Sequence, residues 1–236
     1  MGGDFALAAV PGSTDACRGG VGGGLASYYC EDPNKGDRDF PVNKPENDAI
    51  KPGSGGSVNG GLLPASLHAW ASFDVALWDS GMVGIRIGYA SNGYPQSNPT
   101  GTATAGASGF PPLHIEARFT WFILKDVLRN SKDAPVVAPY LYFGLGATQM
   151  AASVGVPVVS TADGSPYAAG SPTTTKSVNA WAVSGPFFIS VPGVGARIKL
   201  GTPHAALSLG VKPYFVIGGS TFLFAIAPEL ALQFGF

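Results

Sequence analysis

Large apolar residues recur at every second position along most of the chain, and small or polar residues fill the positions between them. The final stretch, LFAIAPELALQFGF, keeps this pattern up to its last residue. A period of two is typical of a β-strand whose two faces meet different surroundings, whereas the helical period of 3.6 residues hardly appears. The pattern predicts eight strands. They span residues 3–10, 63–78, 82–91, 112–124, 136–149, 187–200, 205–218 and 221–236.

The lengths of these strands and of their connections suggest how the sheet is arranged. Most of the predicted strands run for ten or more residues, which is close to the length of about 9–11 residues that a tilted membrane-spanning strand needs. Soluble strands average roughly 5–6 residues. Long loops at 11–62, 92–111 and 150–186 mostly alternate with short turns. We expect one domain, residues 1–236, in which strand 1 pairs with strand 8 and closes an up-and-down barrel.

The second face of the sheet distinguishes two fold classes. A soluble sandwich or lipocalin-like barrel would turn a polar face to water, whereas a membrane barrel turns its apolar face to lipid. Here the second face is mostly Gly, Ala, Ser and Tyr, with few charges. Small residues suit a narrow, crowded interior. The pattern therefore favours an all-β fold, an eight-stranded antiparallel transmembrane β-barrel, over the soluble alternative.

Charged residues make up only 12% of the chain, and 14 basic against 15 acidic residues leave a net charge of −1. This balance gives no electrostatic reason to expect nucleic acid as a partner. Several charges fall on the small-residue face, where a lumen charge must be paired. The candidates for lumen ion pairs are Asp74, Arg86, Glu116, Arg118, Arg197, Lys212 and Glu229. We expect Asp74 to lie near Arg86, and Lys212 or an arginine to neutralise Glu229.

The two cysteines, Cys17 and Cys30, lie in a polar, glycine-rich stretch without a nearby histidine. This arrangement does not fit a zinc site. In an oxidising compartment the pair is expected to form a disulfide, which would contribute about 3 kcal/mol by closing a short loop. In the cytosol they would be two free thiols.

The last predicted strand places Leu230, Leu232, Phe234 and Phe236 at alternate positions and stops on an aromatic residue. In this respect, and in its overall architecture, the chain resembles the eight-stranded outer-membrane β-barrels of Gram-negative bacteria, such as the membrane domain of outer-membrane protein A. The resemblance implies a bacterial outer-membrane location and contact with its lipid. It also implies that the four residues form the signal read by the barrel-assembly machinery.

The expected function follows from a filled lumen. Tyr140, Tyr142 and Trp70 would share the narrow interior with the ion pairs. We therefore expect a barrel that anchors and displays its loops, above all residues 11–62, to an unidentified surface or envelope protein. The alternative is a narrow channel or a conduit for small apolar solutes.

A lipid-modifying hydrolase is the second alternative. The stretch GYASNGYPQSN, residues 88–98, resembles the His-x-Ser-Asn segment of outer-membrane lipid esterases, but Tyr89 stands where the histidine should be. Ser91 would then need His114 and Glu116 from the next strand, and these face inward, away from lipid. We therefore expect no enzyme, no cofactor and no metal site.

Overall fold

The computed structural model describes residues 1–17, 28–31, 49–91, 113–128, 134–163, 165–201, 204–218 and 221–235. In this part of the chain no helix is long and apolar enough to span a membrane. Its eleven strands are β1 (Gly2–Val10), β2 (Tyr28–Glu31), β3 (Gly61–Trp78), β4 (Gly81–Ser91), β5 (Leu113–Phe122), β6 (Val137–Ala147), β7 (Met150–Thr161), β8 (Thr173–Ser184), β9 (Phe187–Lys199), β10 (Ala205–Gly218) and β11 (Thr221–Phe234).

Eight of these strands form one antiparallel sheet in the order β1-β11-β10-β9-β6-β5-β4-β3. Strand β1 pairs with both β11 and β3, so the hydrogen-bonded ladder returns to its start as a closed barrel. The prediction of an all-β, eight-stranded antiparallel sheet is confirmed. The eight predicted strands match the observed ones to within two residues at either end, because the period of two persists wherever a strand has two unlike faces.

The long connections are more ordered than the sequence predicted. Residues 150–186, expected to be a loop, form the hairpin β7–β8, and β2 from the 11–62 connection pairs with β8. Residues 49–54 add backbone hydrogen bonds along the free edge of β7. We call β2, β7, β8 and residues 49–58 the cap. The predicted loop at 92–111 lies outside the described residues.

The cap and one end of the barrel interior share a single apolar core. Cap residues such as Met150 and Val156 pack in the same cluster as Phe188, Tyr214 and Leu223 of the barrel wall. At the other end, a second cluster contains Met82, Phe122, Val127, Ala138, Tyr140 and Tyr142. The interior therefore has an apolar layer near each end and a polar layer between them.

Glycines on β9 make room for the tyrosines of β6. Tyr140 pairs with Gly195, and Tyr142 with Gly193, in the register between these strands. A Cβ atom at Gly193 would overlap the Tyr142 ring, and one at Gly195 would overlap the Tyr140 ring. Each ring thus lies against bare backbone, which is how a narrow barrel accommodates large side chains.

We predict that Gly193→Ala destabilises the barrel by about 1–3 kcal/mol, because the added methyl group forces the Tyr142 ring out of its place. The matched control is Gly155→Ala in β7, where a Cβ atom would meet nothing within 4 Å. Thermal unfolding in detergent measures both variants. Equal losses of stability for the two would contradict the packing of Tyr142 against Gly193.

Candidate functional site

The polar middle layer of the barrel contains six ionisable side chains of balanced sign. Three acids face three bases, and each of the six is at least nine-tenths buried. They are Asp4, Glu116 and Glu229, with Arg86, Arg118 and Lys212. They come from β1, β4, β5, β10 and β11, so the layer connects most of the wall.

Glu229 binds both arginines of this layer. Arg86 donates from its two terminal nitrogens to the two carboxylate oxygens of Glu229, at 2.9 and 3.1 Å. Arg118 donates to the Oε1 atom of Glu229 at 2.6 Å. The fork of Arg86 matches the planar carboxylate, a geometry that makes such charge-assisted pairs strong. Glu229 is thus neutralised by arginines, as the sequence suggested.

Lys212 joins the two remaining acids. Its Nζ atom lies 3.1 Å from Asp4 Oδ2 and 3.1 Å from Glu116 Oε2. Arg86 Nη1 lies 3.6 Å from Glu116 Oε2, which links the lysine half of the layer to the arginine half. Opposite charges at these distances offset the cost of removing each ion from water. The six side chains therefore form one continuous network, called here the lumen network.

Two histidines border the lumen network. His68 Nδ1 lies 2.6 Å from Asp4 Oδ1, and its Nε2 lies 3.3 Å from the Thr148 hydroxyl. The rings of His68 and His114 are 4.8 Å apart between centroids. No group of three or more His, Cys, Asp or Glu side chains in the described ranges is arranged to hold a metal ion.

Five of the seven predicted lumen charges meet in this network, and two do not. Asp74 pairs in register with Gly84, whereas Arg86 pairs with Ser72, and Asp74 is partly exposed. Its charge still interacts with that of Arg86. Arg197 hydrogen-bonds Gln233 Oε1 at 3.1 Å and the Val127 carbonyl at 3.5 Å instead of a carboxylate.

The sequence analysis missed Asp4 and the contact between Asp4 and His68. The available signal was parity, because Asp4 alternates with outward-facing residues of β1 just as Glu229 does on β11. Their pairing in register, Asp4 with His68, depends on closure of the barrel between β1 and β3. A list of charges by strand could have included Asp4, but not its partner.

The candidate serine site is not assembled. Ser91 is exposed at the end of β4, whereas His114 and Glu116 are buried in the lumen. Ser91 therefore lies on the opposite face of the wall from the proposed base, which corrects the candidate set Ser91, His114 and Glu116. His114 instead lies beside Glu116, with Nε2 3.5 Å from Oε2.

Three of the four residues of the C-terminal pattern lie on the outer face of the barrel. Leu230, Leu232 and Phe234 are all exposed on the outer face of β11. Phe236 falls outside the described residues. The role of the four as an assembly signal remains a prediction.

The disulfide connects the barrel to the cap. Cys17 follows β1 and bonds to Cys30 of β2, with 5.4 Å between their Cα atoms. Cys30 pairs in register with Ala180 of β8. Nearby, the Tyr28 hydroxyl donates to the Pro11 carbonyl at 2.5 Å. Burial raises the pKa of Tyr28 to about 12, so this donor keeps its proton at neutral pH.

The acids and bases of the lumen network neutralise one another in the middle layer of the barrel interior. In the described part of the lumen, each acid of the network has a carboxylate oxygen within 3.6 Å of a nitrogen of at least one base. No known family model matches the chain, and no curated protein is significantly similar to it. The case for function therefore rests on geometry.

We predict that Glu229→Gln destabilises the protein by about 3–5 kcal/mol, because Arg86 and Arg118 would keep buried charges without their shared anion. The double variant Glu229→Gln/Arg118→Met restores equal numbers of buried charges and should lose less stability than Glu229→Gln alone. Urea unfolding of the refolded protein measures this difference. Arg197→Met, which removes an arginine outside the network, serves as the control. If the double variant is the less stable one, the six charges do not act as one network.

Proposed function

We propose that this chain is an integral β-barrel of a bacterial outer membrane whose plugged lumen blocks solutes and whose cap is displayed for structural or partner-binding roles. The observation that carries the proposal is the inversion of the sheet. Large apolar side chains cover its outside, and the ionised side chains lie within. Water outside the barrel would favour the opposite arrangement, whereas lipid favours this one.

The outer surface supports contact with lipid. Phe73 is 75% exposed, Leu145 63% and Phe222 59%, and they lie on three different strands. Soluble monomers rarely expose contiguous apolar patches larger than a few hundred Å². Trp78 and Trp121, exposed near strand ends, are placed like the aromatic girdles of membrane barrels. These features favour the membrane barrel over a soluble one.

The filled interior supports a closed lumen. The apolar layer beneath the cap, the lumen network and the tyrosine layer succeed one another along the barrel. A hydrated ion would have to displace paired charges, and an apolar solute would have to pass among them. We therefore favour the plug over the narrow channel or apolar conduit.

The cap supports the display role. It is a folded sheet that is tied to the barrel by the Cys17–Cys30 disulfide and by a shared core. The partner we propose is a surface or envelope protein that recognises this outward sheet. The position of Ser91, on the other side of the wall from His114, gives the hydrolase alternative no support.

We predict that Ile85→Lys lowers the fraction of protein that folds into lipid vesicles, because a lysine near the middle of the lipid face costs about 2–4 kcal/mol. Ile85 is 56% exposed at the centre of β4. The control is Thr175→Lys, an exposed position on the cap. Folded barrels are separated from unfolded chains by heat-modifiable migration on gels. Wild-type protein that stays monomeric in water without detergent or lipid would refute the membrane barrel.

We predict no steady conductance when the refolded protein is inserted into planar lipid bilayers, because the paired charges and both apolar layers obstruct the lumen. A porin of known conductance in the same bilayer shows that the assay detects open pores. A reproducible open-pore current from the protein would rule out the plug and revive the channel alternative.

A further inference from the structure

The segment that leads from β6 into the cap, residues 148–151, contacts two inward-facing side chains of β3. His68 Nε2 lies 3.3 Å from the hydroxyl of Thr148, the residue after β6, where the chain leaves the barrel. Two positions earlier on β3, the Ser66 hydroxyl donates to the Gln149 carbonyl at 3.3 Å and accepts from the Ala151 amide at 3.2 Å. The foot of the β7–β8 hairpin is thus contacted by both His68 and Ser66, and only His68 contacts Thr148.

His68 also contacts the lumen network. Its Nδ1 is 2.6 Å from Asp4 Oδ1, and the other carboxylate oxygen of Asp4 is 3.1 Å from Lys212 Nζ. The same ammonium group is 3.1 Å from Glu116 Oε2. An unbroken series of contacts therefore runs from Glu116 in the middle of the lumen to Thr148 at the foot of the cap.

The two nitrogens of His68 take opposite roles in this series. A neutral imidazole has one donor and one acceptor. The 2.6 Å contact to a carboxylate assigns the proton to Nδ1. Nε2 is then the acceptor for the Thr148 hydroxyl at 3.3 Å, a shorter contact than the 3.5 Å from that hydroxyl to the Gln149 carbonyl. Because Asp4 orients the ring, the bond to Thr148 depends on Asp4, and Asp4 in turn is held by Lys212.

We propose that Asp4, His68 and Thr148 form a latch that couples the cap to the lumen network. When the ion pairs of the network loosen, the cap lifts more easily, and when the cap lifts, the ion pairs loosen more easily. The cap is then a lid whose closed position is set by charges inside the barrel. The latch requires only the folded barrel. It depends neither on the identity of a partner nor on the membrane in which the barrel resides.

The test is a double-mutant cycle on the refolded full chain in detergent, read by hydrogen–deuterium exchange of the β7 and β8 amides. Thr148→Val removes the hydroxyl while keeping the shape of the side chain. We expect it to speed exchange of the cap about fivefold, the loss of one net hydrogen bond. Asp4→Asn should also speed exchange. The double variant should be no faster than the faster single variant, because both act through His68.

Ser66→Ala is the matched control. It removes the neighbouring contact to the cap, so it too should speed exchange of β7 and β8. Combined with Asp4→Asn, however, its effect should multiply, since Ser66 reaches the cap through Gln149 and Ala151 rather than through His68. Exchange of the β10 amides, measured in the same samples, reports whether the barrel itself stays folded.

Two results would overturn the latch. One is cap exchange that Asp4→Asn leaves unchanged, and the other is a multiplicative effect of Asp4→Asn with Thr148→Val. If the β10 amides show that Asp4→Asn unfolds the barrel, the cycle is repeated with Asp4→Asn/Lys212→Met in its place. That pair removes one buried charge of each sign and carries the same expectation for the cap.

Discussion

The interior of this protein depends on the mutual neutralisation of six buried charges. Removing an ion from water costs several kcal/mol even after the protein relaxes, so none of the six is tolerable without its partners. Glu229 holds the arginines of β4 and β5, and Lys212 holds the acids of β1 and β5. A one-residue slip of any of these strands would turn its charge outward. The network therefore specifies the register of the sheet as well as the content of the lumen.

The aromatic residues of the lumen follow from the same network. The Arg118 guanidinium lies 3.6 Å from the centroid of the Tyr142 ring, and that of Arg86 lies 4.6 Å from the Trp70 ring. The faces of these rings add cation–π stabilisation to the two guanidinium groups. Their bulk demands bare backbone opposite, which Gly193 supplies for Tyr142. The charged side chains thus pack against the aromatic rings, and Tyr142 in turn packs against the glycine opposite it.

The sequence predicted the strands well because an apolar outer face and a narrow interior require different residue types at alternate positions along the whole strand. Parity likewise placed five of the six network charges on the inner face. The partners could not be predicted, because Arg86 on β4 meets Glu229 on β11 across the lumen rather than along a ladder. Such a contact depends on the diameter and shear of the closed barrel. Asp4 was overlooked although its parity was readable, and its contact with His68 lies along the β1–β3 ladder that barrel closure creates.

The sequence did not predict the strands of the cap, for a different reason that also bears on function. β7 contains Gly155 and Pro157, and β8 begins with a run of threonines, so the alternation of large apolar and small residues is weak in both. One face of this sheet packs in the shared core through Val156 and Val178. The opposite face includes the exposed residues Ser153, Thr175 and Ser177. A sheet held by a disulfide and by a core loses less conformational freedom on binding than a flexible loop would. This ordered surface is why we propose that the cap recognises a partner and that the closed lumen supports the cap.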